Sequence, residues 1–407
     1  MGASPFAYAD FRKLQIARVA AIVATQAQGT AVAWDVLERT HRPLDLGYVG
    51  LAQFAPIAGL SLIAGHAVDR FDRRRLLTMV YAVYAAAAAA LFAYKVSGAR
   101  AVWPIYAILF CDAIGRSFGQ PAGSALLPEI VPAEAFERAV AWSSSFWQIA
   151  TIVGPIVGGV LVAVVGASYA YVLACVLSLV SAASAVRIES RPTRVSERGV
   201  TFASVLAGVR YVWSHQLILG SISLDLFAVL LGGATALLPV FADLLHTGSW
   251  GLGLLRAAPG VGAALSGVWL AYRPLKRRAG LWMFACVAGF GLATIGFAES
   301  RNFALSLFLL FACGATDMVS VVVRQTLLQI ETPNEMRGRV SAVNLVFVGA
   351  SNELGEFESG VTGQWWGART ATLVGGIGTL VVVGLGMLIF PKLRDVDSLK
   401  TSKDHPS

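Results

Sequence analysis

Charged side chains are scarce in this sequence. Asp, Glu, Lys and Arg make up 14% of its 407 residues, against about 25% in soluble globular chains. So little charge cannot cover a water-facing surface, which excludes an ordinary soluble domain. Cysteine is scarce as well. Cys111, Cys175, Cys286 and Cys313 all lie inside apolar segments without C-x-x-C spacing. A disulfide framework or thiolate metal centre is therefore not expected, and reduced core packing is. The five histidines (His41, His66, His215, His246 and His405) are scattered and form no H-E-x-x-H motif. No G-x-x-x-x-G-K-[ST] loop occurs, which argues against an ATP-driven pump in one chain. No nucleophile, base or metal ligands cluster, so no enzyme, cofactor or metal site is expected.

Apolar sequence is abundant: 56% of the residues are hydrophobic and the mean hydropathy is +0.67. Runs of about 20 apolar residues recur, each long enough to cross about 30 Å of hydrocarbon as a helix. Helices satisfy their own backbone in lipid, so the expected fold class is an all-α integral membrane protein. Twelve transmembrane helices are expected between residues 14 and 390, the seventh running unbroken over 215–242. The first apolar segment follows a short polar start without a small-residue cleavage site, and reads as a retained helix rather than a signal peptide. The partners implied are a lipid bilayer and a small-molecule substrate, with the chain expected to act as a monomer.

The net charge of +8 would raise nucleic acid as a partner for a soluble chain. Here the basic residues form short clusters between apolar runs, without interleaved stacking aromatics, so no nucleic acid is expected. With the N-terminus inside, twenty-two of the 32 lysines and arginines fall in cytoplasmic segments and six in outer loops. That asymmetry predicts an inner-membrane protein with both ends cytoplasmic. One long polar connection stands at the midpoint. It divides the chain into a six-helix bundle over 1–188, a linker over 189–212 and a second six-helix bundle with a tail over 213–407. Within the linker Phe202, Val205, Leu206, Val209 and Trp213 recur at helical spacing, which predicts an amphipathic helix on the cytoplasmic membrane surface.

The halves repeat. Pro128-Glu-Ile-Val-Pro-Ala-Glu-Ala-Phe-Glu-Arg138 aligns with Gln329-Ile-Glu-Thr-Pro-Asn-Glu-Met-Arg-Gly-Arg339, 201 positions on. Gly154 and Gly159 then fall on Gly355 and Gly360. Two parallel six-helix repeats about an axis along the membrane normal is an architecture of transporters.

Between the second and third apolar segments stands Gly65-His-Ala-Val-Asp69-Arg70-Phe-Asp72-Arg73-Arg74-Arg75. It resembles the signature loop of the major facilitator superfamily, G-x-x-x-D-R-x-G-R-R-[KR], with Asp72 in place of the glycine. The resemblance implies that Gly65, Asp69, Arg70, Arg73, Arg74 and Arg75 form a gating loop. Its arginines are expected to pair with acids on the partner half. Gly154-Pro155-Ile-Val-Gly158-Gly159 resembles the G-P-x-x-G-G element of the drug/proton antiporters; proline bends the helix and glycines allow close packing. The stretches 46–56, 69–75 and 332–341 are most similar to the exporter branch that contains the enterobactin exporter and macrolide-efflux proteins. Twelve helices in two pseudo-symmetric bundles, moving a solute by alternating access, is what the resemblance implies.

Charges at bilayer depth are costly and normally face a cavity or a partner. Asp112 and Arg116 are four apart on one helix face, as a stabilising pair or with Arg116 on the pathway. Asp317 and Arg324 are two turns apart with the same alternatives. Asp225 has no local counter-charge, and an isolated buried carboxylate favours its neutral form, making it a proton-coupling candidate. Glu353 and Glu356, i and i+3 in Asn352-Glu-Leu-Gly-Glu-Phe-Glu-Ser359, are close enough for their protonation to be coupled. They suit a proton relay, a cationic solute, or a pairing with Arg256. Proton-coupled efflux of an amphipathic siderophore or drug is the expected function, with proton-coupled nutrient import as the alternative.

Overall fold

The computed structural model describes residues 4–189, 202–273, 275 and 277–397. Among these there is no strand. The helices are α1 (Ala9–Thr40), α2 (Pro43–Arg70), α3 (Arg73–Val96), α4 (Trp103–Ile130), α5 (Ala133–Val165), α6 (Ala167–Val186) and α7 (Phe202–Ser214). There follow α8 (Gln216–Gly232), α9 (Leu238–Leu244), α10 (Gly248–Tyr272), α11 (Ala279–Glu299), α12 (Phe303–Glu331), α13 (Asn334–Trp366), α14 (Ala368–Ile389) and the short α15 (Pro391–Arg394). Eight spans are long and apolar enough to cross a membrane by length and composition: α3, α5, α6, α8 continued through α9, α10, α11, α12 and α14. The four other long helices, α1, α2, α4 and α13, carry Arg18 and Asp35, Asp45, Asp112 and Arg116, and Glu353, Glu356 and Glu358, respectively. In α1, α4 and α13 hydropathy falls because part of their surface carries polar and charged groups rather than facing lipid.

The helices run longer than their apolar cores. α5 and α13 start directly after Pro132 and Pro333, which cap them with extended backbone, and each continues for 33 residues. Both end at a glycine of positive φ, Gly166 at 94° and Gly367 at 82°. A residue with a Cβ is strained there, so glycine ends one helix and starts the next without a loop. These glycines are again 201 positions apart, so the repeat read from the sequence extends to the turns.

The chain forms two compact units: Met1–Val200 with Ala242–Ala257, and Thr201–Phe241 with Ala258–Ser407. In the first unit α1 packs on α5 and α6, α3 on α4 and α6, and α2 on α4. In the second, α8 packs on α13 and α14, and α11 on α12 and α14. The arrangement of α8, α11, α12, α13 and α14 thus repeats that of α1, α3, α4, α5 and α6. Small residues set the spacing. A Cβ at Gly158 would stand 2.6 Å from the Ala27 carbonyl oxygen, and one at Gly154 2.5 Å from Gln26 Cβ. Gly314 and Pro259 bring α12 and α10 together in the same way.

Two elements differ from expectation. The segment 215–242 is not one helix. α8 ends at Gly232, the chain crosses Gly233 and Ala234, and a 3-10 turn over Thr235–Leu237 leads into α9. The break is held by side chains of neighbouring helices. Ser359 Oγ donates to the Gly233 carbonyl at 2.8 Å, and Thr379 Oγ1 donates to the Ala228 carbonyl at 3.2 Å. Irregular backbone at membrane depth persists where protein groups satisfy it in this way. The amphipathic helix α7 exists, but it packs on α13 and α8, with Gly208 against the Arg339 backbone, and only part of it is exposed. Residues 190–201 of the expected linker lie outside the described residues.

Candidate functional site

The gating-loop side chains are engaged locally. Asp72 caps α3 by accepting from the Arg75 backbone N–H at 3.1 Å, so the acid that departs from the superfamily pattern serves as an ordinary N-cap. Arg73 donates to Glu129 Oε1 at 2.5 Å and to the Ala125 carbonyl at 3.0 Å. Arg74 donates to the Ile188 carbonyl at 3.1 Å. The expected pairing of these arginines with the other half is corrected for Arg73 and Arg74, which are held inside the first unit. The reason is reach: α4 extends to Ile130 and carries Glu129 alongside the start of α3. Arg70 is exposed, while Gly65 and Asp69 lie outside the residues whose side chains are described. Glu129 is a partner that sequence reading missed, although it stands in the repeated Pro128-Glu129 stretch.

In the first unit Asp112 is fully buried on α4 and pairs with Arg116 Nε at 3.2 Å. Their i, i+4 spacing brings them together as the sequence indicates. At the other end of α1 lies an acid that sequence reading passed over. Asp35, 1% exposed, accepts from Arg39 Nε at 3.0 Å and from Lys95 Nζ. Tyr171 donates to its other oxygen at 3.4 Å. Arg39 also donates to the Ala99 carbonyl, which ties the α3–α4 turn to α1. The signal was the i, i+4 pair Asp35 and Arg39, hidden because both the arginine and Lys95 read as loop charges. Arg256 of α10 places its guanidinium beside Gly29 of α1.

The second unit holds a denser cluster. Arg324 of α12, 2% exposed, forms an ion pair with Asp225 Oδ2 of α8 at 2.8 Å and donates to Asn344 Oδ1 of α13 at 3.2 Å. The reading of Asp225 as a carboxylate without a counter-charge is therefore corrected. Its partner lies 99 residues later and is invisible to local spacing. The pairing of Asp317 with Arg324 is corrected with it, because the guanidinium turns to α8 and α13. Asp317 keeps no hydrogen bond among the described residues, yet stands within electrostatic reach of both Asp225 and Arg324. Asn344 was missed. It occupies the repeat position of Ser143, which accepts from Gln15 Nε2 of α1 at 2.7 Å. Each unit thus ties its α5 or α13 helix through a polar residue at the same place.

Glu353 and Glu356 are half-buried on α13. The Glu358 backbone carbonyl accepts from Thr362 Oγ1 at 2.9 Å. Between them Gly355 packs against the Val229 and Leu230 carbonyls of α8, next to the α8 break. On α5, Gly154, Pro155, Gly158 and Gly159 line the approach to α1 and to the first turns of α10. A Cβ at Gly159 would stand 2.5 Å from the Ser249 carbonyl oxygen. No group of three or more metal-ligating side chains occurs among the described residues.

Comparison with known proteins agrees with this arrangement. The model of the family described as transmembrane secretion effector matches residues 1–407. The enterobactin exporter EntS of Citrobacter koseri is 26% identical over 385 residues, covering 94% of this chain and 92% of that protein. The enterobactin exporter EntS of Escherichia coli O81 is 25% identical with the same coverage. Among solved structures, a bacterial homologue of the human lysosomal transporter Spinster, inward-facing and occupied, has a TM-score of 0.75. It is 12% identical and covers 97% of this chain and 100% of that one, a likeness of fold.

Proposed function

Because the chain belongs to the transmembrane secretion effector family of the major facilitator superfamily, and is thus a multi-pass membrane transporter of small molecules, we propose that it exports an amphipathic small molecule in exchange for protons. The observation that carries export is the resemblance to enterobactin exporters along 94% of the chain. A siderophore-like compound is accordingly the first substrate class to test. The excess of lysine and arginine in the segments 70–75, 273–278 and 392–403 supports a bacterial inner-membrane location with both ends cytoplasmic.

The proton side of the proposal rests on the α8–α12–α13 cluster. Two carboxylates, Asp225 and Asp317, share one guanidinium, Arg324. One cation balances one of them, and a proton is the available counter-ion for the other in a region where uncompensated charge is costly. Asp317, without a hydrogen-bond partner among the described residues, is the proton carrier in this reading. Asp225 and Asn344 hold the guanidinium in place. When Asp317 releases its proton, a second carboxylate competes for Arg324, and the packing of α12 against α8 and α13 responds. Such a response is how a local charge change biases a two-state transporter. Glu353 and Glu356, beside the α8 break, are a second relay position. The superfamily architecture supplies the motion, alternating access by rocking of repeats, and the loop at 65–75 and the glycines of α5 are its proposed gate and sliding contact.

The test is export from cells that make but cannot otherwise secrete a catecholate siderophore. Expression of the wild-type chain is expected to raise the siderophore in the medium, and the Asp317→Asn variant at equal membrane abundance is expected not to. Equal secretion by the wild type and Asp317→Asn would refute the proton assignment; absence of secretion by the wild type would refute the substrate class.

A further inference from the structure

Arg18 is a cation within α1 for which the described residues provide no counter-charge. It lies nine residues into α1, roughly 13 Å along the helix from Ala9. It is half-buried and makes no hydrogen bond or ion pair among the described residues. Its Nε and Cδ stand 3.9 and 4.0 Å from where a Cβ of Gly123 would be, so the absence of a side chain on α4 leaves it room. Arg116, on α4 of the same unit, has Asp112. Arg18 has none.

Two tyrosines of α3 stand at this junction, the nearer of them beside Arg18. Tyr81 and Tyr84 of α3, 4% and 8% exposed, lie with ring centroids 6.1 Å apart. Tyr81 is within electrostatic reach of Arg18 and Tyr84 of Arg116. Neither phenol hydroxyl has a hydrogen-bond partner among the described residues. On α4, Arg116, Gly119 and Gly123 fall on one face at i, i+3 and i+7, and the Tyr84 hydroxyl would stand 3.2 Å from a Cβ at Gly119. One turn before Arg18, Gln15 is fixed to Ser143 of α5, which sets the rotation of α1. Two guanidinium groups, one carboxylate and two unsatisfied phenols make this junction of α1, α3 and α4 net positive and rich in donors.

We propose that Arg18, with the Tyr81 and Tyr84 hydroxyls, reads an acidic group on the transported molecule, so that the substrate is an organic anion rather than a cation. The inference deepens the proposed function and rests on it for the word transported. A carboxylate meets the site's chemistry: it supplies the missing counter-charge to Arg18 and accepts from the phenols. A cationic dye would place like charge against two arginines.

The probes are N-(2,3-dihydroxybenzoyl)-L-serine, its uncharged methyl ester and the cation ethidium, measured by equilibrium dialysis on the full chain in lipid nanodiscs. The wild-type protein is expected to bind the acid more tightly than the ester. Arg18→Gln is expected to lose at least about tenfold for the acid, the scale of one charge-assisted contact, with little change for the ester. Arg18→Lys, which keeps the charge, is expected to retain most of the affinity. Equal binding of the acid by wild type and Arg18→Gln would overturn the inference. So would loss of the acid and the ester to the same degree, which marks a structural role, or a wild type that binds ethidium and not the acid. The function is read separately, by secretion of the acid from cells. If wild type and Arg18→Gln secrete it equally, export stands and the site fails. If Arg18 controls binding but no cell secretes the acid, the site stands and export fails.

Discussion

Arg324 shows how a single residue decides the chemistry of the second unit. It is almost fully buried and holds Asp225 and Asn344 at once. Removing one partner of such a buried pair is costly because it strands the other, typically by about 3–5 kcal/mol. Arg324→Gln should therefore unfold at markedly lower temperature in detergent, and adding Asp225→Asn should recover much of the loss. A double-mutant cycle with strictly additive effects would show that the pair is not coupled. Asp317→Asn, by contrast, removes no hydrogen bond among the described residues and should lower the unfolding temperature far less than Arg324→Gln. Its effect should fall on proton-driven export, by roughly tenfold or more, within the range of linkage between two sites. At this scale the sequence was informative about which residues matter and poor about how they pair. Spacing joined Asp112 to Arg116 correctly because both are on one helix. It could not join Asp225 to Arg324, Arg73 to Glu129 or Lys95 to Asp35, since those pairs come from different helices and nothing in one segment records its neighbour.

At the scale of elements, the glycines of α5 and the break in α8 carry the most testable consequences. A methyl at Gly158 would overlap the Ala27 backbone, which cannot move away as a flexible side chain can. Gly158→Ala should cost about 1–3 kcal/mol through overpacking, measured as a fall in thermal unfolding temperature. Ser359→Ala should cost about 1 kcal/mol, the net worth of the hydrogen bond to the Gly233 carbonyl, and should raise hydrogen exchange over 232–237 selectively. Unchanged exchange there would mean that the serine does not hold the break. Helix existence and order were legible in the apolar periodicity, and the prolines at 132 and 333 and glycines at 154 and 355 marked the repeat. The α8 break was not legible, because Gly232-Gly233 sits in an apolar run and its compensating groups, Ser359 and Thr379, come from α13 and α14. α7 was legible as amphipathic, but which surface covers its inner face is set by α13.

For the whole molecule, both termini are expected on the cytoplasmic side. A C-terminal green fluorescent protein fusion should fluoresce and a C-terminal alkaline phosphatase fusion should be inactive; the reverse pattern would invert the topology. The superfamily fold is shared with transporters of many solutes, so fold alone does not choose a substrate. An anionic solute exchanged for protons is favoured by the exporter resemblance, by the shared guanidinium of Arg324 and by the uncompensated charge of Arg18. Proton exchange for an outgoing solute is the central claim, and purified protein in liposomes tests it most directly. With an imposed inside-acidic gradient and a pH-sensitive dye in the lumen, addition of N-(2,3-dihydroxybenzoyl)-L-serine outside should accelerate proton exit in wild type and not in Asp317→Asn. Proton exit unaffected by the solute in wild type, in liposomes that take the solute up, would contradict the account.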